Sequence, residues 1–437
     1  FYQQKFVLFQ FPASMSAANN QTNFLTLSKS VPEDAIFAVK RAYEADQDTN
    51  KLNLGIGAYR TEQGRPYVLK VVQEAEKQIL EATQQGKLNK EYLSIDGYLP
   101  LRNAALQLIF GKSLFDAHKE RIACVQSLSG TGAVRLGFEL IAKVHHEADK
   151  ALPLVYLSNP TWGNHQKIVS AVGFQVREYR YYHQATRGFD FDGMLADLEE
   201  APAHSIILLQ PAAHNPTGVD PSPEQWQAIA KVMEERNLFT FFDSAYQGYA
   251  TGDVEKDAYA VRLWVEQGFE MVHANSFSKN FGLYGERVGT CSVVCASPEQ
   301  ADIVQSQLKS IIRPMYSNPP KHGAFIVSTV LNDPTLRQQW FEELNLMSSR
   351  ITKMRHELRS ALVKLQTPGD WSHITNQIGM FSYTGLNKEQ VQALTKHYHV
   401  YLSGSGRISV AGLSSKTIPY FAKAIHEVVT KQQSSSL

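Results

Sequence analysis

At 437 residues the chain exceeds what one hydrophobic core holds, and at roughly 100–200 residues per domain two domains are expected. Its 43% hydrophobic and 19% charged residues describe a globular chain, and no run approaches the ~20 consecutive apolar residues of a membrane helix. Lys plus Arg number 43 against 42 Asp plus Glu, so the net charge of +1 offers no footprint for nucleic acid or an anionic bilayer.

Residues Phe1 to Pro32 contain no acidic residue and only Lys5 and Lys29. A transit peptide is one reading, but such peptides are Arg-rich and this stretch has no Arg. The other reading takes Met15 as the start, with Phe1–Ser14 an extension and 1–32 an N-terminal arm. From there the pattern is regular: a helix over Val31–Ala45, a short strand over Lys51–Ile56 and a helix over Val68–Ala82, with apolar residues three and four apart. Short apolar runs then alternate with helical segments, at Leu152–Leu157, Ser205–Gln210, Phe239–Phe242, Met271–Asn275 and Thr290–Val294. Such runs predict buried parallel strands, hence an α/β fold with a doubly wound, mostly parallel sheet. A long helix is expected from about Asp333 to Leu365. A smaller region follows, with strands at Met380–Tyr383, Val400–Tyr401 and Arg407–Ser409 and a terminal helix at Ile418–Lys431. The three cysteines, Cys124, Cys291 and Cys295, form no CxxC pair, and HExxH is absent, so neither a disulfide framework nor a metal site is expected.

Three runs end in chemistry: Leu154–Leu157 leads into Ser158-Asn-Pro-Thr-Trp162, Ile206–Leu209 into His214-Asn-Pro-Thr-Gly218, and Phe239–Phe242 into Asp243-Ser-Ala-Tyr246. Open α/β sheets bind ligands beyond the carboxyl ends of their strands, so this rim is the predicted site. Ser129-Gly-Thr-Gly132 opens a helical run at Ala133–Lys143, which suits a phosphate on free backbone N–H groups or an ordinary helix cap. It lacks the third Gly of a dinucleotide fingerprint, Arg135 standing where that Gly would be needed. Lys279 is the only charged residue between Met271 and Gly285; it is either a desolvated amine fit for Schiff-base chemistry or a lysine reaching the surface. Asp243 at a strand end pairs with a cation such as a pyridinium or caps the next helix. Tyr246 has the same ambiguity.

Together, a phosphate cradle, a desolvated amine, a strand-end acid and an aromatic face are what pyridoxal phosphate requires. The motifs Ser129-Gly-Thr-Gly-Ala133, Asn159-Pro-Thr-Trp-Gly-Asn-His165, His214-Asn-Pro-Thr-Gly-Val-Asp-Pro221, Phe242-Asp-Ser-Ala-Tyr-Gln-Gly248, Ser276-Phe-Ser-Lys-Asn-Phe-Gly-Leu-Tyr284, Ser317-Asn-Pro-Pro320 and Gly406-Arg-Ile-Ser-Val-Ala-Gly412 stand in order. From about Asn53 to Leu413 the chain resembles the fold-type I aminotransferases and, within them, the aspartate aminotransferases.

The resemblance implies a large cofactor domain at 69–346 and a smaller α+β domain built from both chain ends, 33–68 and 347–437. It implies pyridoxal 5'-phosphate on Lys279, which would also shuttle the substrate α-proton, with Asp243 keeping the ring nitrogen protonated. Asn215 and Tyr246 would bind the ring's 3-oxygen, Trp162 would stack on the ring, and Ser129, Gly130, Thr131, Ser276, Ser278 and Arg287 would hold the phosphate. Arg287 has a rival reading as a surface ion pair with Glu286. Arg407 would grip the α-carboxylate and Arg313 the side-chain carboxylate, since a guanidinium fork matches both oxygens. Gly57, Asn318 and Phe381 would line the substrate pocket. Tyr92 and Arg313 would reach the neighbouring subunit's site, giving a homodimer with shared sites. Gly285 departs from the Asn commoner at that place.

The implied reaction is ping-pong transamination, L-aspartate plus 2-oxoglutarate to oxaloacetate plus L-glutamate, with a broad-specificity or aromatic aminotransferase as the alternative. A lyase or decarboxylase on the same scaffold, or a non-catalytic relative, are further alternatives. The length from Met15 points to the cytoplasm, and the Arg-Pro-Met-Tyr-Ser-Asn-Pro-Pro wording to the mitochondrial matrix.

Overall fold

Seven strands form one sheet in the computed structural model, which describes residues 28–434. They are β1 (Ile122–Leu128), β2 (Val155–Asn159), β3 (Val176–Arg180), β4 (Ile206–Leu209), β5 (Phe239–Ser244), β6 (Met271–Ser276) and β7 (Val288–Val294), ordered β1-β7-β6-β5-β4-β2-β3. The pairs from β6 through β3 are parallel, while β7 runs antiparallel to both β1 and β6. The expected arm and the Met15 start lie almost wholly outside the described residues.

The two faces explain why the strands read as unbroken apolar runs. On one face Ile206, Leu208 and Phe241 pack with the helix Ser129–Glu147, where Phe138 stacks on Phe241 at 4.5 Å. On the other, Ile207, Leu209 and Phe242 meet Trp226 and Trp264 of the helices Pro223–Glu235 and Tyr259–Glu266. Adjacent residues of one strand therefore fill opposite cores. β1 and β3 escaped the sequence reading for different reasons. β1 buries Gln126 and Ser127 among its apolar residues, and β3 is an edge strand whose Arg177, Glu178 and Arg180 face solvent.

Two smaller sheets join the ends of the chain. Leu52–Asn53 pairs with Val400–Tyr401 in parallel, and Phe381–Tyr383 pairs with Arg407–Ser409 in antiparallel fashion. The first is shorter than the expected Lys51–Ile56 because its partner is two residues long and starts after His399 in a left-handed conformation (φ 52). The long helix is Pro334–Lys364, capped by Asp333, whose side chain accepts from the Thr335 and Leu336 amides. The terminal helix Ile418–Ser434 lies along it, Phe421 and Ile425 sharing a core with Leu358 and Leu362. Among the described residues no helix is long and apolar enough to cross a membrane.

Candidate active site

Strand direction brings the expected residues to one edge. β1, β2, β4, β5 and β6 end there, and antiparallel β7 begins there, so Arg287 enters beside Ser129: Val288 pairs with Leu128 and Gly289 with Ser276. Gly289 is needed at this crossing, because a Cβ there would stand 2.3 Å from the Asn275 carbonyl and 2.9 Å from the Ser129 carbonyl carbon. The resulting cavity is lined by Ser129, Gly130, Thr131, Trp162, Gln210, Asn215, Asp243, Tyr246, Ser276, Ser278, Lys279 and Arg287, among others.

At one end the Ser129 hydroxyl lies 2.9 Å from that of Ser276 and 2.7 Å from that of Ser278, and Arg287 Nη1 donates to Ser278 at 3.4 Å. The helix starts at Ser129 itself, four residues before the expected run, and no side chain caps it. The cap reading is thereby corrected: the hydroxyl that would cap the helix turns to the other serines, and the first N–H groups remain available to an anion. Arg287 also donates to the Tyr284 carbonyl, and no ion pair to Glu286 forms among the described residues.

Lys279 lies in a turn just past β6 and points inward, its Nζ 5.5 Å from the centroid of the Tyr246 ring. Burial lowers its pKa to about 8, against the opposing pull of Asp243 and with a smaller push from Arg287 and Arg407. Asp243 does not cap a helix; its Oδ2 accepts from His165 Nε2 at 2.9 Å, and Thr161 Oγ1 sits 2.8 Å from the other ring nitrogen. His165 carried no expected role although it stands in a quoted motif. Its signal was spacing, since it follows Trp162 by three residues and the two rings meet edge to face at 5.1 Å.

Asn215 links the two halves of the site. Its Nδ2 donates to Tyr246 at 3.3 Å, and its Oδ1 accepts from Arg407 Nη1 at 3.1 Å. Burial holds the Tyr246 phenol well above its ordinary pKa, so it enters the site protonated. Arg407 is buried, donates Nη2–H to the Gly55 carbonyl at 2.7 Å, and lies 4.3 Å over the Phe381 ring. Its Nε has no partner. Phe381 lies so close to Gly57 that a Cβ there would come within 2.6 Å of the ring. Asn318 Nδ2 donates to the Leu93 carbonyl, one residue past Tyr92. Tyr92, 85% exposed, and Arg313, whose Nη1 donates to Ser317 Oγ at 2.6 Å, do not line the cavity of the single chain. No cluster of metal-binding side chains occurs among the described residues.

The chain as a whole is similar to known proteins. Residues 49–425 match the family described as aminotransferase class I and II. The chain is 52% identical to aspartate aminotransferase 1 of Medicago sativa over 400 residues, 92% of this chain and 94% of that one. The solved aspartate aminotransferase from Saccharomyces cerevisiae cytoplasm superposes with a TM-score of 0.89 at 45% identity, covering 93% and 98% of the two chains. An aromatic-amino-acid aminotransferase from Burkholderia pseudomallei, solved covalently bound to pyridoxal phosphate, follows at 0.88 and 39%, covering 93% and 99%. With the family match spanning most of the chain and the fold retained along it, the protein belongs to the class I and II aminotransferases.

Proposed function

We propose that the site binds pyridoxal 5'-phosphate and transfers an amino group reversibly from L-aspartate to 2-oxoglutarate, giving oxaloacetate and L-glutamate in two half-reactions. One observation carries this reading: a desolvated amine, a His-supported carboxylate and a cradle of three hydroxyls share one cavity, and Asn215 in its wall binds the buried guanidinium of Arg407. The donor set suits the cofactor. Serine hydroxyls, an uncapped helix terminus and Arg287 match a phosphate, and the partnerless Arg407 Nε is free for a carboxylate.

When bound, the cofactor supplies an aldehyde for the amino group and a protonated ring that accepts the electron pair of the substrate α-carbon. Asp243, oriented by His165, would keep the ring nitrogen protonated. Asn215 and Tyr246 would donate to the ring's 3-oxygen, and Trp162 would offer a face for the ring. Ser129, Gly130, Thr131, Ser276, Ser278 and Arg287 would hold the phosphate. The Lys279 amine would serve as the base for the substrate α-proton, a task for which an amine near pH 8 is well matched. Arg407 orients the α-carboxylate, with Gly57, Asn318 and Phe381 shaping the pocket around the substrate.

Tyr92 and Arg313 are exposed in the single chain and complete the site of a second copy, which makes the working unit a homodimer. Arg313 then reads the side-chain carboxylate. The division into a cofactor domain at 69–346 and a smaller domain at 33–68 and 347–437 belongs to the same reading. So does a cytoplasmic location, supported by the yeast counterpart, with the mitochondrial matrix as the alternative.

Steady-state kinetics on a panel of amino donors with 2-oxoglutarate tests the substrate. Aspartate is expected to exceed phenylalanine and tyrosine by at least about tenfold in kcat/KM, since an uncharged side chain would leave Arg313, enclosed in the second copy's site, without a carboxylate partner. Comparable turnover of the aromatic donors would favour a broad-specificity enzyme instead.

A further inference from the structure

Gln210 follows β4 directly, is buried at 5% exposure and lines the cavity. Both polar atoms of its carboxamide are spent on the backbone of one residue: Nε2 donates to the Asn215 carbonyl at 3.1 Å, and Oε1 accepts from the Asn215 amide at 2.9 Å. We propose that Gln210 is a positioning residue that fixes Asn215, and through it both the phenol of Tyr246 and the guanidinium of Arg407.

The amide orientations are forced. A guanidinium only donates, so Asn215 Oδ1 must face Arg407 Nη1, which leaves Nδ2 toward Tyr246. A backbone N–H only donates, so Gln210 Oε1 must face it, which leaves Nε2 for the carbonyl. Turning either amide over would place donor against donor. The clamp is uncharged, so it holds Asn215 equally at every pH at which Lys279 changes protonation. A glutamate in its place could accept from the Asn215 amide, but as a carboxylate it would face the carbonyl without a proton to give. Resting on the function proposed above, the inference assigns Gln210 two effects at once: it keeps an N–H aimed at the cofactor's 3-oxygen, and it keeps Arg407 aimed at the substrate α-carboxylate.

The test uses holoenzyme of the wild type, Gln210→Leu and Gln210→Glu. Two readouts besides turnover are followed: the pH titration of the visible absorption of the Lys279-bound cofactor, and the affinity for maleate, an unreactive dicarboxylate. In Gln210→Leu the absorption midpoint is expected to rise by about half a pH unit or more, because a donor to the 3-oxygen is lost. Maleate binding is expected to weaken roughly five- to tenfold. Gln210→Glu should bind maleate poorly at alkaline pH and approach the wild type as its carboxyl gains a proton. If Gln210→Leu fails to fold, judged by thermal melting of the cofactor-free protein, this pH-dependent recovery decides. An unmoved midpoint and unchanged maleate affinity in folded Gln210→Leu, or a pH-independent Gln210→Glu, would overturn the inference alone. A wild-type protein that develops no visible band when given pyridoxal phosphate would overturn the functional reading and the inference with it.

Discussion

On the cofactor side of the cavity, Ser129, Ser276, Ser278, Asp243 and His165 are buried and hydrogen-bonded to one another within a single chain. On the substrate side, Tyr92 and Arg313 are exposed, and buried Arg407 keeps an Nε without a partner. The first region is preorganised by strand register, so its groups lose little freedom when a ligand arrives. The second leaves charged donors unmatched: in the proposed reading Arg407 meets the α-carboxylate that every donor carries, so discrimination falls to Arg313, which only a side-chain carboxylate satisfies. Under the proposed function, affinity for the cofactor belongs to the sheet edge, and choice of substrate belongs to elements that a carboxylate or a second copy must complete.

The largest effect is expected at Lys279. Lys279→Ala is expected to lower transamination by about 10⁴-fold or more, since both the amine and the proton carrier are lost. The cofactor should still be retained by the phosphate cradle in equilibrium dialysis, and near-normal turnover would refute the role. Next comes Arg407→Leu, which should reduce kcat/KM for every amino donor by roughly a hundredfold to a few thousandfold, the consequence of losing ~3–5 kcal/mol of buried pairing. Arg313→Asp should leave the cofactor side intact but change the ranking of donors. The aspartate-to-arginine ratio of kcat/KM is expected to fall by about tenfold or more, and an unchanged ratio would mean that another residue reads the side chain.

A smaller effect separates burial from charge. In cofactor-free protein, Lys279 should be acylated with a rate that rises with pH about a midpoint near 8, because the ammonium is unreactive and burial disfavours it. Asp243→Asn should move that midpoint down, since the carboxylate favours the charged amine; an upward shift would contradict the geometry. The smallest effect lies away from the site. The helix Lys70–Gln84 has no side-chain cap from its own N-cap residue Leu69, and Glu343 of the long helix serves instead. Its two oxygens accept from the Lys70 and Val71 amides at 2.9 Å, and Tyr67 donates to it at 2.5 Å. Glu343→Ala is expected to cost about 1–2 kcal/mol in denaturant unfolding and to leave KM unchanged.

Legibility followed chemistry. β2, β4, β5, β6 and β7 were readable because both faces of each are buried, which forces continuous apolar runs bounded by polar loops. β3 was not, because an edge strand in solvent carries charge. Within the site, Lys279 and Asp243 stood out as charged residues at the ends of apolar runs. His165 and Gln210 did not, since a histidine in the first turn of a helix and an amide at a strand end are ordinary in any sequence. The roles proposed for them rest on partners 78 residues away, in the case of His165 with Asp243, or across a loop, in the case of Gln210 with Asn215.

Fold class and family, and the candidacy of Lys279 and Asp243, were legible along the chain, because these rest on local patterns of polarity and motif. Three-dimensional packing was needed to show that Ser129 joins Ser276 and Ser278 instead of capping its helix. It likewise decided that Arg407 retains an open donor beside Asn215, and that Tyr92 and Arg313 stand clear of their own chain's cavity. The physical reason is that hydrogen-bond choice and desolvation depend on which atoms meet in space, and the antiparallel entry of β7 brings Arg287 and Ser129 together from opposite ends of the sequence segment that forms the sheet.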